Sequence, residues 1–224
     1  MAVNAQKQRI SLDSYLPAWE ELLEVHDHLQ WEVDEKRQVW VGQNDAFERE
    51  IEVRPPLPFP SIKRTDILEE YLDQFDPLDI PTYGMFIMQA GAGALGYFED
   101  GKVVFHKAIK KYMVRAKRGK SQISYLNTRG KSKAGSRIRL ANTDRFIEEI
   151  NGYLNQWDEY DPPEFWLYSC PVSLWGMLFA ADPPPPFEKD DPHIKKLPFD
   201  VNKPDFAELQ RINSLSLEAE IRRY

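Results

Sequence analysis

The spacing of apolar residues divides the chain into a helical opening, a strand-rich middle and a long amphipathic helix. Leu16, Trp19, Leu22 and Leu23 recur at helical spacing, with Asp13 or Ser14 placed to cap the helix. Trp31-Glu32-Val33 and Val39-Trp40-Val41 alternate as two short strands joined through Asp34-Glu35-Lys36-Arg37. The prolines of Arg54-Pro55-Pro56-Leu57-Pro58-Phe59-Pro60 break regular structure and read as an extended connector, with docking to an SH3-like partner as the alternative. Thr65 is placed to cap a helix carrying Ile67, Leu68, Tyr71, Leu72 and Phe75, which ends by Pro77.

From residue 83 the pattern changes. Tyr83 to Gln89 is short and apolar, as a buried strand is. The small residues from Ala90 to Gly96 lack the Lys-Ser/Thr ending of a phosphate-binding loop, so they predict a tight strand connection or close backbone packing. Glu99-Asp100-Gly101-Lys102 is a hairpin signal, with Val103-Val104-Phe105 as the return strand and Tyr112-Met113-Val114-Arg115 as another. Ile138, Phe146, Ile147, Ile150, Leu154 and Trp157 mark a long helix that begins near Ser136 or near Asn142-Thr143. Phe165 to Cys170 is the next buried strand, Val172 to Ala180 a short helix, and Pro183 to Pro186 an irregular exposed segment. Asp205 and Glu208 form a capping box for a helix with Phe206, Leu209 and Ile212. The order predicts an α/β domain over 81–224, a mixed β-sheet covered by helices, preceded by a small α+β extension over 1–80.

A chain of 224 residues is long enough to bury a sizeable core. Cys170 is the only cysteine, which excludes an intrachain disulfide, and its apolar surroundings predict a buried structural thiol. Cys170 with His26, His28, His106 and His193 does not make a zinc site at these spacings, so no metal and no cofactor are expected. The absence of a signal pattern or a long apolar run predicts a cytoplasmic protein with no membrane partner.

Charge changes the picture most. From Gly101 to Ala141 there is no acidic residue, yet 13 of the 29 Lys and Arg lie there. The rest of the chain keeps 16 basic residues against all 36 acidic ones. With net charge −7, indiscriminate binding to nucleic acid is disfavoured, and any contact with a polyanion must be local. A basic loop from about Ala116 to Gly135 holds Gly119-Lys120-Ser121-Gln122. The Gln122 amide can orient a water or a ribose hydroxyl by donating and accepting at once, and Gly119 lets the backbone approach a substrate closely. Alternation puts Arg115 and Lys117 on one face with Met113, where they can neutralise phosphates, while a plain cationic edge strand is the simpler reading. Tyr112 and Tyr125 can stack on bases. Arg118, Lys120, Arg129, Lys131, Lys133 and Arg137 complete the cationic surface. His106, on a strand, reads as a packed histidine.

Three separated blocks then fall in one order. Tyr112 to Gln122 continues through Lys133-Ala134-Gly135-Ser136 and Ile138-Arg139 into a long helix. Asp191-Pro192-His193-Ile194-Lys195-Lys196-Leu197-Pro198-Phe199-Asp200 follows, and then Lys203-Pro204 and the helix from Asp205. Over roughly 80–222 this resembles the Vms-like release factor domain. The resemblance implies a fold similar to the middle domain of eukaryotic and archaeal peptide-chain release factors. It implies action on peptidyl-tRNA held on stalled ribosomes, with the large subunit as partner, and it puts Gln122 at the catalytic glutamine position and Gly119 at the glycine. Zinc finger, ankyrin repeats and the helix that recruits a p97-type unfoldase have no counterpart here, which implies a short stand-alone form. Arg118 and Lys120 make this loop more cationic than a Gly-Gly pairing would.

Two chemistries stay open within that resemblance. Gln122 can position a water to hydrolyse the peptidyl ester, or a ribose 2′-OH can attack the adjacent phosphate while Lys and Arg stabilise the charge. The other function classes are a non-catalytic ribosome- or RNA-binding module and an adaptor working through 1–80.

Overall fold

The computed structural model describes the backbone at residues 6–111 and 132–224, and side chains at 6–111 and 142–224. The first elements are β1 (Gln6–Ile10), α1 (Tyr15–Val25), β2 (Gln30–Asp34), β3 (Val39–Gln43), β4 (Arg49–Arg54) and α2 (Leu68–Asp73). There follow β5 (Tyr83–Gln89), β6 (Ala92–Glu99), β7 (Lys102–Lys110) and α3 (Ser132–Tyr160). The chain ends with β8 (Phe165–Ser169), α4 (Val172–Ala180), β9 (Ile194–Lys196), α5 (Phe206–Ser216) and β10 (Ala219–Arg223). They divide into two compact units. One is Met1–Thr82 with Glu99–Lys102 and Arg211–Tyr224; the other is Tyr83–Phe98 with Val103–Gln210. Arg211–Tyr224 thus share a compact unit with Met1–Thr82, across the expected division at 80/81.

The first unit is an antiparallel sheet in the order β1-β10-β4-β3-β2. Tyr15, Trp19 and Leu22, spaced i, i+4, i+7 on α1, pack with Trp40, Ile51, Val53 and Ile221 of the sheet. The proline segment after β4 is part of this core rather than a free connector. Leu57 N–H donates to Ser216 O at 2.8 Å, and Phe59 lies 4.3 Å from Phe75 between ring centroids. Its apolar side chains bury although its prolines keep it out of the ladder. The other face of the sheet is polar. Glu52 and Glu220 sit there nearly out of solvent, among Lys7, Arg9, Arg37, Arg49, Arg54 and Arg222. Burial alone would raise the Glu52 carboxyl, but hydrogen bonds from Arg37 and the charge of Arg49 hold it below the ordinary carboxylate value.

The second unit is a mixed sheet in the order β7-β6-β5-β8-β9, with β5–β6 antiparallel and β5–β8 and β8–β9 parallel. This is the expected mixed sheet covered by helices. Asp100 (φ 49°) and Gly101 (φ 70°) make the expected tight turn between β6 and β7. The small-residue stretch is mostly strand, and its glycines have a packing reason. A Cβ on Gly93 would meet Ile150 and Phe146 of α3, and one on Gly96 would meet Leu209 of α5 at 2.9 Å. Residues 93 and 96 point to opposite faces of β6, so one strand receives a helix on each side.

Candidate RNA-facing site

Strand β7 runs antiparallel along α3, and named contacts mark the descent. Phe105 meets Tyr160 edge-on at 5.1 Å, Lys107 Nζ lies 5.0 Å over the Tyr153 ring, and Lys111 Nζ donates to Glu149 Oε2 at 2.6 Å. Lys111 Nζ also donates to Arg145 O at 3.1 Å, and its N–H to Gly91 O at 3.0 Å. The strand exit is thus fixed at three points and directed toward the helix N-terminus. Alternate residues face the other way: His106 stacks on Phe206 at 3.9 Å but remains exposed, so it is not the packed histidine expected.

Helix α3 is the second support. Phe146, Ile147, Ile150, Leu154 and Trp157 are buried at helical spacing, whereas Asp144 and Arg145 are exposed. Asn151 is fully buried and donates to Leu178 O and Pro183 O, both at 2.8 Å. Asn155 donates to Pro184 O at 2.8 Å, so the proline segment expected to be exposed and irregular is tied to the helix. The helix begins at Ser132, earlier than either expected start. Lys133 and Arg137 therefore stand on its first two turns, and Gly135, expected in the loop, is helical. Lys133, Ala134 and Arg137 are good helix formers, which outweighs one glycine. Ser132 lies thirteen residues before Arg145, so the helix runs on roughly 20 Å past the strand exit. Its amide end carries the positive end of the helix dipole.

Residues 112–131 connect Lys111 to Ser132. Gln122 and Gly119, with Tyr112, Arg115, Lys117, Arg118, Lys120, Tyr125, Arg129 and Lys131, lie outside the described residues, as do the expected strand at 112–115 and most of the basic loop.

A family model described as Bacteroidetes VLRF1 release factor matches residues 83–223. The chain belongs to this family. Mouse (Mus musculus) "tRNA endonuclease ANKZF1" is 31% identical over 139 residues, covering 59% of this chain and 18% of its own length. The Caenorhabditis elegans "tRNA endonuclease vms-1" is 27% identical over 139 residues, covering 59% and 22%. The chain thus spans 18% and 22% of the length of these two relatives. A solved structure, "Vms1 mitochondrial localization core", aligns at TM-score 0.48 and 14% identity, covering 86% of this chain and 90% of that one.

The two other blocks that carried the resemblance have structural roles. Asp191 Oδ1 accepts from His193 N–H at 2.8 Å and lies 3.0 Å from His193 Nδ1, shaping the turn into β9. Asp205 Oδ1 accepts from Glu208 N–H at 3.0 Å, and Glu208 in turn accepts from Asn202 N–H at 2.7 Å, which caps α5. Lys195 of β9 was not foreseen from sequence. Its Nζ lies 4.3 Å over the Phe165 ring, and burial pushes its pKa down to about 7. Its neighbours in sequence gave no sign of that environment. Cys170 is half-buried, donates to Pro171 O at 3.4 Å, and burial pushes its thiol up to about 12, which disfavours the thiolate. Among the described residues no helix is long and apolar enough to cross a membrane.

Proposed function

We propose that this protein frees nascent chains from peptidyl-tRNA on stalled ribosomes, by cleaving the tRNA near its CCA end. The observation that carries the reading is the family match over 83–223, which includes the cation-rich segment with Gly119 and Gln122. The names of the relatives, tRNA endonucleases, favour tRNA cleavage over ester hydrolysis. In that chemistry a ribose 2′-oxygen gives its proton to solvent water and bonds to the adjacent phosphorus, while the 5′-oxygen leaves and takes a proton from water. A cyclic 2′,3′-phosphate remains on the tRNA and a short 3′ fragment carries the peptide. Gln122 orients the attacking hydroxyl, and Arg115, Lys117, Arg118 and Lys120 offset the charge that builds on the phosphorane. Arg129, Lys131, Lys133 and Arg137 hold the RNA backbone, with Tyr112 and Tyr125 offering ring faces to unstacked bases. No cofactor is invoked.

The test is incubation with ribosome-bound peptidyl-tRNA, resolving peptide and tRNA on one gel. A shortened tRNA supports cleavage; an intact CCA end with free peptide supports ester hydrolysis. Gln122→Ala should slow release roughly 100-fold or more while ribosome association stays near wild type. Release by Gln122→Ala at the wild-type rate would remove the catalytic assignment and leave an RNA-binding module. Lys117→Glu with Lys120→Glu should weaken association broadly, and binding should fall steeply with salt.

A further inference from the structure

We propose that His26, His28 and Glu50 form a site for a divalent transition metal of the zinc class, in the N-terminal unit. The ligand atoms of all three lie within 4.8 Å of one another. Cysteine and histidine spacing gave no such site, because the third ligand is a carboxylate brought from another element. His26 ends α1 and His28 follows it in the turn before β2, while Glu50 stands on β4.

The ligand set fits zinc better than calcium or magnesium. Two imidazole nitrogens and one carboxylate oxygen suit a borderline cation, whereas the hard cations take all-oxygen shells. A tetrahedral ion with bonds of about 2.0–2.2 Å separates its ligands by roughly 3.3–3.5 Å. His28 Nε2 is already 3.8 Å from Glu50 Oε2. The two imidazole rings are tilted at 52° with centroids 6.0 Å apart, and each offers a ligand nitrogen within 4.8 Å of the others in the set. Closing the set needs a side-chain rotation, which half-exposed His28 is free to make.

The carboxylate is positioned for this. Asn44 Nδ2 donates to Glu50 Oε1 at 3.0 Å, which leaves Oε2 facing His28. Asn44 is itself locked, since its Oδ1 accepts from the N–H groups of Ala46 and Glu48, each at 3.0 Å. A ligand held by a second polar residue is how metal sites fix their geometry. The backbone around Glu50 is tied too, because its carbonyl accepts from Tyr224 N–H at 2.9 Å. Three protein ligands leave a fourth position to water. The bound ion joins the end of α1 to the sheet.

The experiment is calorimetric titration of the untagged, chelator-treated full chain with Zn²⁺ alone, followed by thermal unfolding with and without Zn²⁺. One ion per chain is expected, with a rise in the unfolding midpoint. His28→Ala and Glu50→Gln should each weaken binding at least tenfold and abolish most of that rise, since both keep the fold and Glu50→Gln keeps the amide partner of Asn44. His193→Ala, remote in sequence and paired with Asp191, should bind as wild type does. The proposal fails if wild type takes up no Zn²⁺, or if Glu50→Gln and His28→Ala bind it as tightly as wild type.

Discussion

Gly84→Ala should be among the most damaging single-methyl additions in the second unit. Gly84 lies opposite Trp166 in the parallel β5–β8 pairing, and the indole ring lies across the glycine. A Cβ there would stand 2.1 and 2.2 Å from two Trp166 ring carbons. These are atoms of a rigid ring that is itself buried and packed on Phe187 at 5.5 Å, so neither partner can swing aside. Overpacking of this kind costs about 1–3 kcal/mol and sometimes more. The lower chain entropy of alanine returns roughly 0.5–1 kcal/mol, which is too little to offset a contact more than 1 Å inside van der Waals range. With the contact this close the cost lies at the upper end of that range, and a net loss of about 2 kcal/mol follows. In urea, with a slope of about 1–3 kcal/mol per molar, the midpoint should drop by roughly 1 M. The second half of the test is Trp166→Leu. In that background the ring is gone, and Gly84→Ala should cost less than about 0.5 kcal/mol or become stabilising. The reasoning is refuted if Gly84→Ala leaves the midpoint within error of wild type. It is equally refuted if the substitution costs the same with and without the tryptophan.

Other consequences concern buried charge. Glu52→Gln removes the carboxylate shared by Arg37 and Arg49, and should cost about 2 kcal/mol at neutral pH because the guanidinium partners stay partly exposed. Glu52 titrates below its ordinary 4.5 in the folded protein, so its stabilisation is fully present above that value and lost as pH falls through the lower folded one. Urea midpoints of wild type and Glu52→Gln should therefore converge in acid, and parallel profiles would refute the assignment. Lys195→Met should stabilise the protein by about 1–2 kcal/mol below pH 7, a figure discounted for partial exposure. The folded lysine loses its proton near pH 7 while the unfolded one keeps it to 10.5, so wild-type stability rises across that window and the advantage of methionine shrinks. A difference that does not change with pH would contradict a buried, destabilised charge.

Sequence by itself determined the elements whose apolar spacing is local. Tyr83–Gln89 is a strand and Phe146 to Trp157 a buried helical face because each periodicity needs only its own segment. The cation-rich run with Gly119 and Gln122 is likewise a property of contiguous sequence, and its residues 112–131 lie outside the described ones. Tertiary structure alone decided what depends on distant partners. Strands β1 and β10 carry Lys7, Arg9, Glu220 and Arg222, charged residues that dilute any strand signal, and they pair across the whole length of the chain. The proline segment looks like a linker until Ser216 and Phe75 are found against it. The start of α3 lies at Ser132, ahead of both expected positions, in keeping with the helix propensity of Lys133, Ala134 and Arg137. Lys195 acquires its depressed pKa from tertiary burial, and Glu50 reaches His26 and His28 only through the sheet. Periodicity reports which face of a segment is buried; the identity of the residue across the gap is set by loop closure over tens or hundreds of positions, and no local pattern encodes it.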